Sequence, residues 1–282
     1  MLSLLLPQPA AMIKSTKNKT LLIADPHISW EMKLQQKGIH IPSQTSKILI
    51  KLTTLLNQYK PDTLVILGDV KYTVVGNKQG ERQDIPDFFK KLQSQVGSIA
   101  IVRGNHDANL ESLLPKDIIL LPATGAVLGD VGVFHGHTWP APVLLGCRTL
   151  VMGHLHPAVV FNDPTGYKMT RQVWIRAKLD SEVLAKTLLQ KSQIKMEGSV
   201  KETLQNHFNS KLETKELYIM PSFNDFLGGK PLNQTQPHKD HTTETLIGPV
   251  IRSKAVDMDN SEIYLLDGNY LGTLAQLKKW EN

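Results

Sequence analysis

Five apolar, β-branched runs each break off at their carboxyl end into residues that can coordinate or move a proton, and this recurrence constrains the fold of the chain more than anything else in it. Thr20-Leu21-Leu22-Ile23-Ala24 runs into Asp25-Pro26-His27, and Thr63-Leu64-Val65-Ile66-Leu67 into Gly68-Asp69. Ile99-Ala100-Ile101-Val102 runs into Arg103-Gly104-Asn105-His106-Asp107, Val131-Gly132-Val133-Phe134 into His135-Gly136-His137, and Leu150-Val151-Met152 into Gly153-His154-Leu155-His156. Such runs suit sheet interiors, and Gly104 is expected to let the backbone turn sharply. If the strands share one sheet or two packed sheets, their polar ends converge where ligands of open α/β sheets bind.

Helical periodicity fills the gaps. Ile48, Leu49, Leu52, Leu55, Leu56 and Tyr59 recur at helical spacing, with Ser43 or Ser46 as a cap and Pro61 as a stop. Asp84-Ile85-Pro86 is read as opening a second helix through Phe88, Phe89, Leu92 and Val96, closed by Gly97. Strand, helix and strand therefore alternate up to Asn105, as parallel crossovers require, whereas short strands dominate after Ile118. The expected fold is a single α/β domain over 1–282, a four-layer α/β/β/α sandwich with two mainly β layers between helices. A helical insertion is expected over 180–212, its second helix opened by a capping box at Ser199 and Glu202. The polar stretch 230–246 is expected to be a mobile loop.

Charge and cysteine usage narrow the chemistry. The single cysteine, Cys147, excludes an internal disulfide and a thiolate cage, so any metal must use oxygen and nitrogen. The net charge of +6 favours anionic partners, and residues 167–215 hold ten Lys or Arg against five acids. That stretch reads either as a rim for a polyanion or as a solvated face. Leu2-Ser3-Leu4-Leu5-Leu6 is followed at once by Pro7 and Pro9 and has no basic residue before it. It is too short for a membrane span and unlike a secretory signal, which makes a cytoplasmic protein without a membrane partner the expectation.

Carboxylates, a carboxamide and several imidazoles at strand ends suit divalent ions of intermediate hardness, Mn²⁺ first, with Fe²⁺ or Zn²⁺ as alternatives. The set is too large for one ion. With two, Asp69 can bridge, and a water held by both becomes a nucleophile near neutral pH.

Asp25-x-His27, Gly68-Asp69, Gly104-Asn105-His106-Asp107, His135-Gly136 and Gly153-His154-x-His156, in this order, resemble the five motifs of calcineurin-like metallophosphoesterases. The resemblance implies a phosphoester hydrolase with Asp25, His27, Asp69 and His156 on one metal and Asp69, Asn105, His135 and His154 on the other. It makes His106 the general acid, with Asp107 orienting it. Arg103 and His137 are candidate substrate contacts. Glu31, Ile41-Pro42, Gly68-Asp69-Val70-Lys71, Trp174-Ile175-Arg176, Met220-Pro221-Ser222-Phe223-Asn224 and Asp267-Gly268 are similar to the prokaryotic ICC-like subgroup, which includes ligase-associated DNA-damage-response phosphoesterases. That subgroup has His where this chain has Tyr72. The resemblance therefore implies a phosphodiesterase or nuclease acting on single-stranded or damaged DNA. Two alternatives stand beside it: an enzyme of small phosphoesters or nucleotides, and a non-catalytic scaffold.

Overall fold

Side-chain alternation along the strands decides how the layers stack. In the computed structural model, which describes residues 1–16, 18–35, 37–76, 79–234 and 248–279, the first sheet is β1 (Leu2–Leu4), β2 (Ala10–Lys14), β3 (Lys19–Ala24), β4 (Thr63–Leu67), β5 (Ser98–Val102) and β6 (Ile119–Leu121), in that spatial order. Pairing is antiparallel from β1 to β3 and parallel from β3 to β6. Three helices belong to this half: α1 (Met32–Gln35), α2 (Thr45–Tyr59) and α3 (Gln79–Gln93). Leu21, Ile23, Leu64, Ile66, Ile99 and Ile101 point outward and pack on Ile48, Leu52 and Leu55 of α2 and Phe88, Phe89 and Leu92 of α3. Their neighbours Leu22, Ala24, Val65, Leu67, Ala100 and Val102 point inward. A period of two thus sorts one strand sequence into two cores, each fully buried aliphatic side chain contributing about 1.5–3 kcal/mol.

The second sheet answers the inward face. It comprises β7 (Ala126–Leu128), β8 (Val131–Phe134), β9 (Thr149–Met152), β10 (Pro157–Asn162), β11 (Lys168–Lys178), β12 (Glu216–Ile219), β13 (Lys230–Pro231), β14 (Glu262–Leu265) and β15 (Tyr270–Thr273). Its order is β13-β10-β11-β12-β9-β8-β7, with β14 also paired to β11 and β15 to β14. Val131, Val133, Val151, Trp174 and Met220 meet the first sheet. The outer face is covered by α4 (Ser181–Lys191), α5 (Val200–Phe208), α6 (Pro249–Arg252) and α7 (Leu274–Lys279). The molecule is therefore the expected mixed α/β sandwich of two sheets flanked by helices.

Several local expectations change. The apolar run at Leu2 is an edge strand, β1, hairpinned to β2. Helix α3 starts at Gln79 and carries Pro86 inside it, so that proline does not open the helix. Neither Ser43 nor Ser46 is the cap of α2; Gln44 occupies that position without a side-chain bond, and Lys60 ends the helix in the left-handed region. The capping box at Ser199 and Glu202 is present.

The helical stretch 180–212 forms α4 and α5, whose buried Leu184, Ala185, Leu188, Leu189, Val200 and Leu204 are part of the outer core. The excursion closes through Leu179 N–H to Lys215 O and Lys215 N–H to Arg148 O. Those groups lie beside the amino end of β9, away from its His154 end. Of the loop expected over 230–246, Lys230–Pro231 pairs with β10, while 235–246, with His238 and His241, lies outside the described residues. Among the described residues no helix is long and apolar enough to cross a membrane.

Candidate metal centre

The carboxyl ends of β3, β4, β5, β8 and β9 meet at one edge, and the segment from Leu67 to Tyr72 runs through the middle. Three of its backbone carbonyls fix three imidazoles. Leu67 O accepts from His135 Nδ1 at 2.7 Å, Lys71 O from His27 Nδ1 at 3.2 Å, and Tyr72 O from His106 Nδ1 at 2.5 Å. A carbonyl can only accept, so each Nδ1 carries the proton and each Nε2 is left for the centre.

What those nitrogens face determines the chemistry. His27 Nε2 lies 3.3 Å from His156 Nε2. Asp69 Oδ2 is 3.6 Å from His27 Nε2, and Asp25 Oδ1 is 3.2 Å from His156 Nε2. Two imidazole lone pairs repel unless a proton or a cation lies between them. On the other side, His135 Nε2 lies 3.4 Å from Asp69 Oδ1 and 3.2 Å from Asn105 Oδ1. Asp25 Oδ1 and His154 Nε2 are buried and lack a hydrogen bond. Asp25, His27, Asp69 and His156 offer ligand atoms within 4.8 Å of one another, and so do Asp69, His135 and His154. Asp69 is common to both groups, its two oxygens facing opposite sides. Carboxylate, imidazole and amide donors with orphaned polar atoms among them fit divalent cations of intermediate hardness.

The backbone is bent to present these groups. Asp25 (φ 53°), His27 (42°), Asp69 (51°), His154 (68°) and His156 (47°) all adopt the left-handed region that side chains disfavour. Close approach of the loops explains two glycines. A Cβ on Gly104 would collide with Asp69, and one on Gly153 would lie 2.6 Å from Asp25 Oδ2. Gly104 is not in the left-handed region, so clearance accounts for it, not the sharp turn expected from the sequence.

Burial without ions sets the titration of the cluster. It pushes His27 down to about 3, and His154 and His137 down to about 4, with the His135 charge adding to the last two. His135 behaves oppositely: burial pulls it down, but the Asp69 and Asp25 carboxylates and the Leu67 carbonyl raise it to about 9. Asp69 is lowered despite burial, held anionic first by His135 and then by His27.

Three candidates need revision or placement. Asp107 does not orient His106. Its carboxylate accepts the backbone N–H groups of Val70 (2.9 Å), Gly104 (2.8 Å) and Lys71 (3.4 Å), tying the Gly68 loop to the Gly104 loop. The group that holds His106 is the Tyr72 carbonyl. Arg103 pairs with Glu111 at 3.0 Å. His137 sits beside His135, ring centroids 5.3 Å apart, with its Nδ1 buried and unbonded.

The sequence reading gave no role to the brace behind Asp25. Ser222 Oγ donates to Asp25 O at 2.8 Å, Asn224 Nδ2 to Pro26 O at 3.0 Å, and Phe223 N–H to Ala24 O at 2.7 Å. Gln172 Nε2 in turn donates to Ser222 O and Asn224 O. The available signal was a Ser-x-Asn turn following a buried strand.

The sequence model of the calcineurin-like phosphoesterases matches residues 19–158. No curated protein matches the chain. Among solved structures, Pseudomonas putida nuclease MPE is similar at 20% identity and a TM-score of 0.50, over 93% of this chain and 91% of that one. The phosphoesterase Yfce from E. coli is similar at 24% identity over 51% of this chain and 73% of its own, with a TM-score of 0.33. The first of these likenesses supports the fold. Matched across the strand ends that carry Asp25, Asp69, Asn105, His135 and His154, the chain belongs over residues 19–158 to the calcineurin-like phosphoesterase family, and it is a phosphoester hydrolase.

Proposed function

We propose that Asp25, His27, Asp69 and His156 hold one divalent ion and Asp69, Asn105, His135 and His154 a second, and that the centre hydrolyses phosphodiester bonds of nucleic acid. The observation that carries the metal assignment is the face-to-face approach of the His27 and His156 Nε2 atoms at 3.3 Å beside two carboxylates. Mn²⁺ is the ion we assign, on the mixture of imidazole nitrogen and carboxylate or amide oxygen. Paired ions of this kind supply water activation at neutral pH and neutralise phosphoryl charge.

The protein's own residues do the rest. Leu67 O and Lys71 O hold His135 and His27 in the tautomer that leaves Nε2 free. His106, outside both ligand groups, has its Nε2 3.8 Å from Asp69 Oδ2 and is partly open to solvent. It is placed to protonate the leaving oxygen as general acid. Asp107 holds the two loops in register, and His137, beside His135, would serve as a contact for a substrate phosphate.

Nucleic acid as substrate is supported by the net charge of +6 and by a neighbour of like fold that is named a nuclease. Cytoplasmic action and a role in DNA repair are part of this reading. The test compares Mn²⁺-dependent cleavage of single-stranded and nicked oligonucleotides with hydrolysis of a nitrophenyl diester and a mononucleotide panel. Lys186, Lys191 and Lys195 replaced together by Gln supply the second arm. The slope of log K against log salt is expected to fall by about 0.7 per lost single-strand contact, with the small diester unaffected. Activity confined to small esters overturns the nucleic-acid reading.

A further inference from the structure

Lys71 is fully buried, beside the centre but in neither ligand group. A buried ammonium is costly unless every nearby group uses it, so a lysine here needs a task that a neutral side chain could not perform. Its Nζ donates to Thr73 O at 2.7 Å and to Gly76 O at 2.7 Å, drawing two carbonyls of one short loop inward. The same loop is pinned from α3, where the buried Glu81 carboxylate accepts Thr73 N–H at 2.7 Å. Val74 and Val75 are left exposed on its outer side. The loop therefore folds around a charge and not around an apolar core. Its first residue is Tyr72, whose carbonyl accepts the hydrogen bond from His106 Nδ1–H.

We propose that Lys71 is a positioning residue for catalysis: by gathering residues 72–76 around its ammonium it fixes the Tyr72 carbonyl, and through it the tautomer and direction of His106. The Lys71 ammonium acts through the backbone of Tyr72, whereas the residue's own carbonyl, which holds His27, is the same in any side-chain variant. An apolar residue could fill the space, but it could bond neither carbonyl. The proposal rests on His106 being the general acid, and the experiment separates failure of the one from failure of the other.

The variants are Lys71→Met, which keeps the stem and removes the charge, His106→Ala, and their combination. Metal content, kcat and KM are measured on two diesters, one with a nitrophenyl and one with an alkyl leaving group, since only the poor leaving group depends strongly on a proton donor. Lys71→Met is expected to keep both ions and KM and to lose about 10-fold to 10²-fold in kcat on the alkyl diester, with little loss on the nitrophenyl one. The double variant should lose no more than His106→Ala alone. In ¹⁵N spectra of histidine-labelled protein, the Nδ1–H tautomer of His106 should be replaced by a tautomer mixture in Lys71→Met.

Equal losses on the two diesters, or additive losses in the double variant, would show that Lys71 only supports the fold and would overturn the proposal. If His106→Ala itself shows no dependence on the leaving group, the general-acid reading is what fails, and the spectra still report whether Lys71 sets the His106 tautomer. Should Lys71→Met not fold, Gly76→Val replaces it. At Gly76 (φ 72°) an added Cβ meets nothing within 4 Å, so the variant strains the loop without disturbing the core. The same leaving-group pattern in smaller measure is then expected, and its absence overturns the proposal.

Discussion

At the scale of the residue, protons and metals compete for the same atoms. His135, raised to about 9, holds a proton at neutral pH in the metal-free chain, and that proton must leave when an ion binds to Nε2. Apparent metal affinity should therefore climb with pH up to about 9, with at least one proton released per chain, since the Asp25 carboxylate raises His156 as well against its burial. Titration calorimetry in buffers of different ionisation enthalpy counts it. For folding without metal the sign is reversed. The raised value contributes stability that is complete below pH 6.5 and is lost as pH rises through 9. Asp69 and His106 make a contrasting pair. Asp69→Ala should lose both ions, whereas His106→Ala should keep both and cost on the order of 10²–10⁴ in rate, as metal analysis beside kinetics will show. Residue identity was readable in the sequence because Asp, Asn and His at strand ends have few structural uses. The partners of Asp107 were not, since three backbone N–H groups leave no mark in a sequence.

At the scale of the element, the loops after β3, β4, β5 and β9 interlock with almost no clearance. Gly153→Ala places a carbon 2.6 Å from Asp25 Oδ2 and 2.8 Å from Ala24 Cβ, so the β3 and β9 loops must move apart. The expected result is a loss of about 1–3 kcal/mol in urea unfolding and weakened metal retention on dialysis. Strands β3, β4, β5, β8 and β9 were legible because uninterrupted Ile, Val and Leu bounded by turn residues admit few alternatives. The β1–β2 hairpin was not, because Leu2 to Leu4 is too short for any period to declare itself. The start of α3 was missed for a different reason. Gln79 to Asp84 is polar all round, and Pro86, which stands inside the helix and not at its start, outranked it as a signal. The helix pair α4–α5 was visible as amphipathic, but its place over the outer face of the second sheet depends on tertiary contacts that no local pattern carries.

At the scale of the whole molecule, the two sheets supply different halves of the centre: Asp25, His27, Asp69 and Asn105 follow strands of the first, and His135, His154 and His156 follow strands of the second. Between the sheets lies mainly an apolar layer of small and branched side chains around Trp174. Ions bound at the edge should stabilise the chain by mass action, about 2.7 kcal/mol at a free concentration of 100 Kd. The melting temperature should accordingly rise with added Mn²⁺ and fall with chelator, and Asp69→Ala should be insensitive to both. A centre divided in this way turns the ions into rivets between two plates. In a metal-starved cell the plates are held only by their apolar filling and by hydrogen bonds such as Ser222 Oγ to Asp25 O and His135 Nδ1 to Leu67 O, and the chain's lifetime against proteases becomes a gauge of the metal supply.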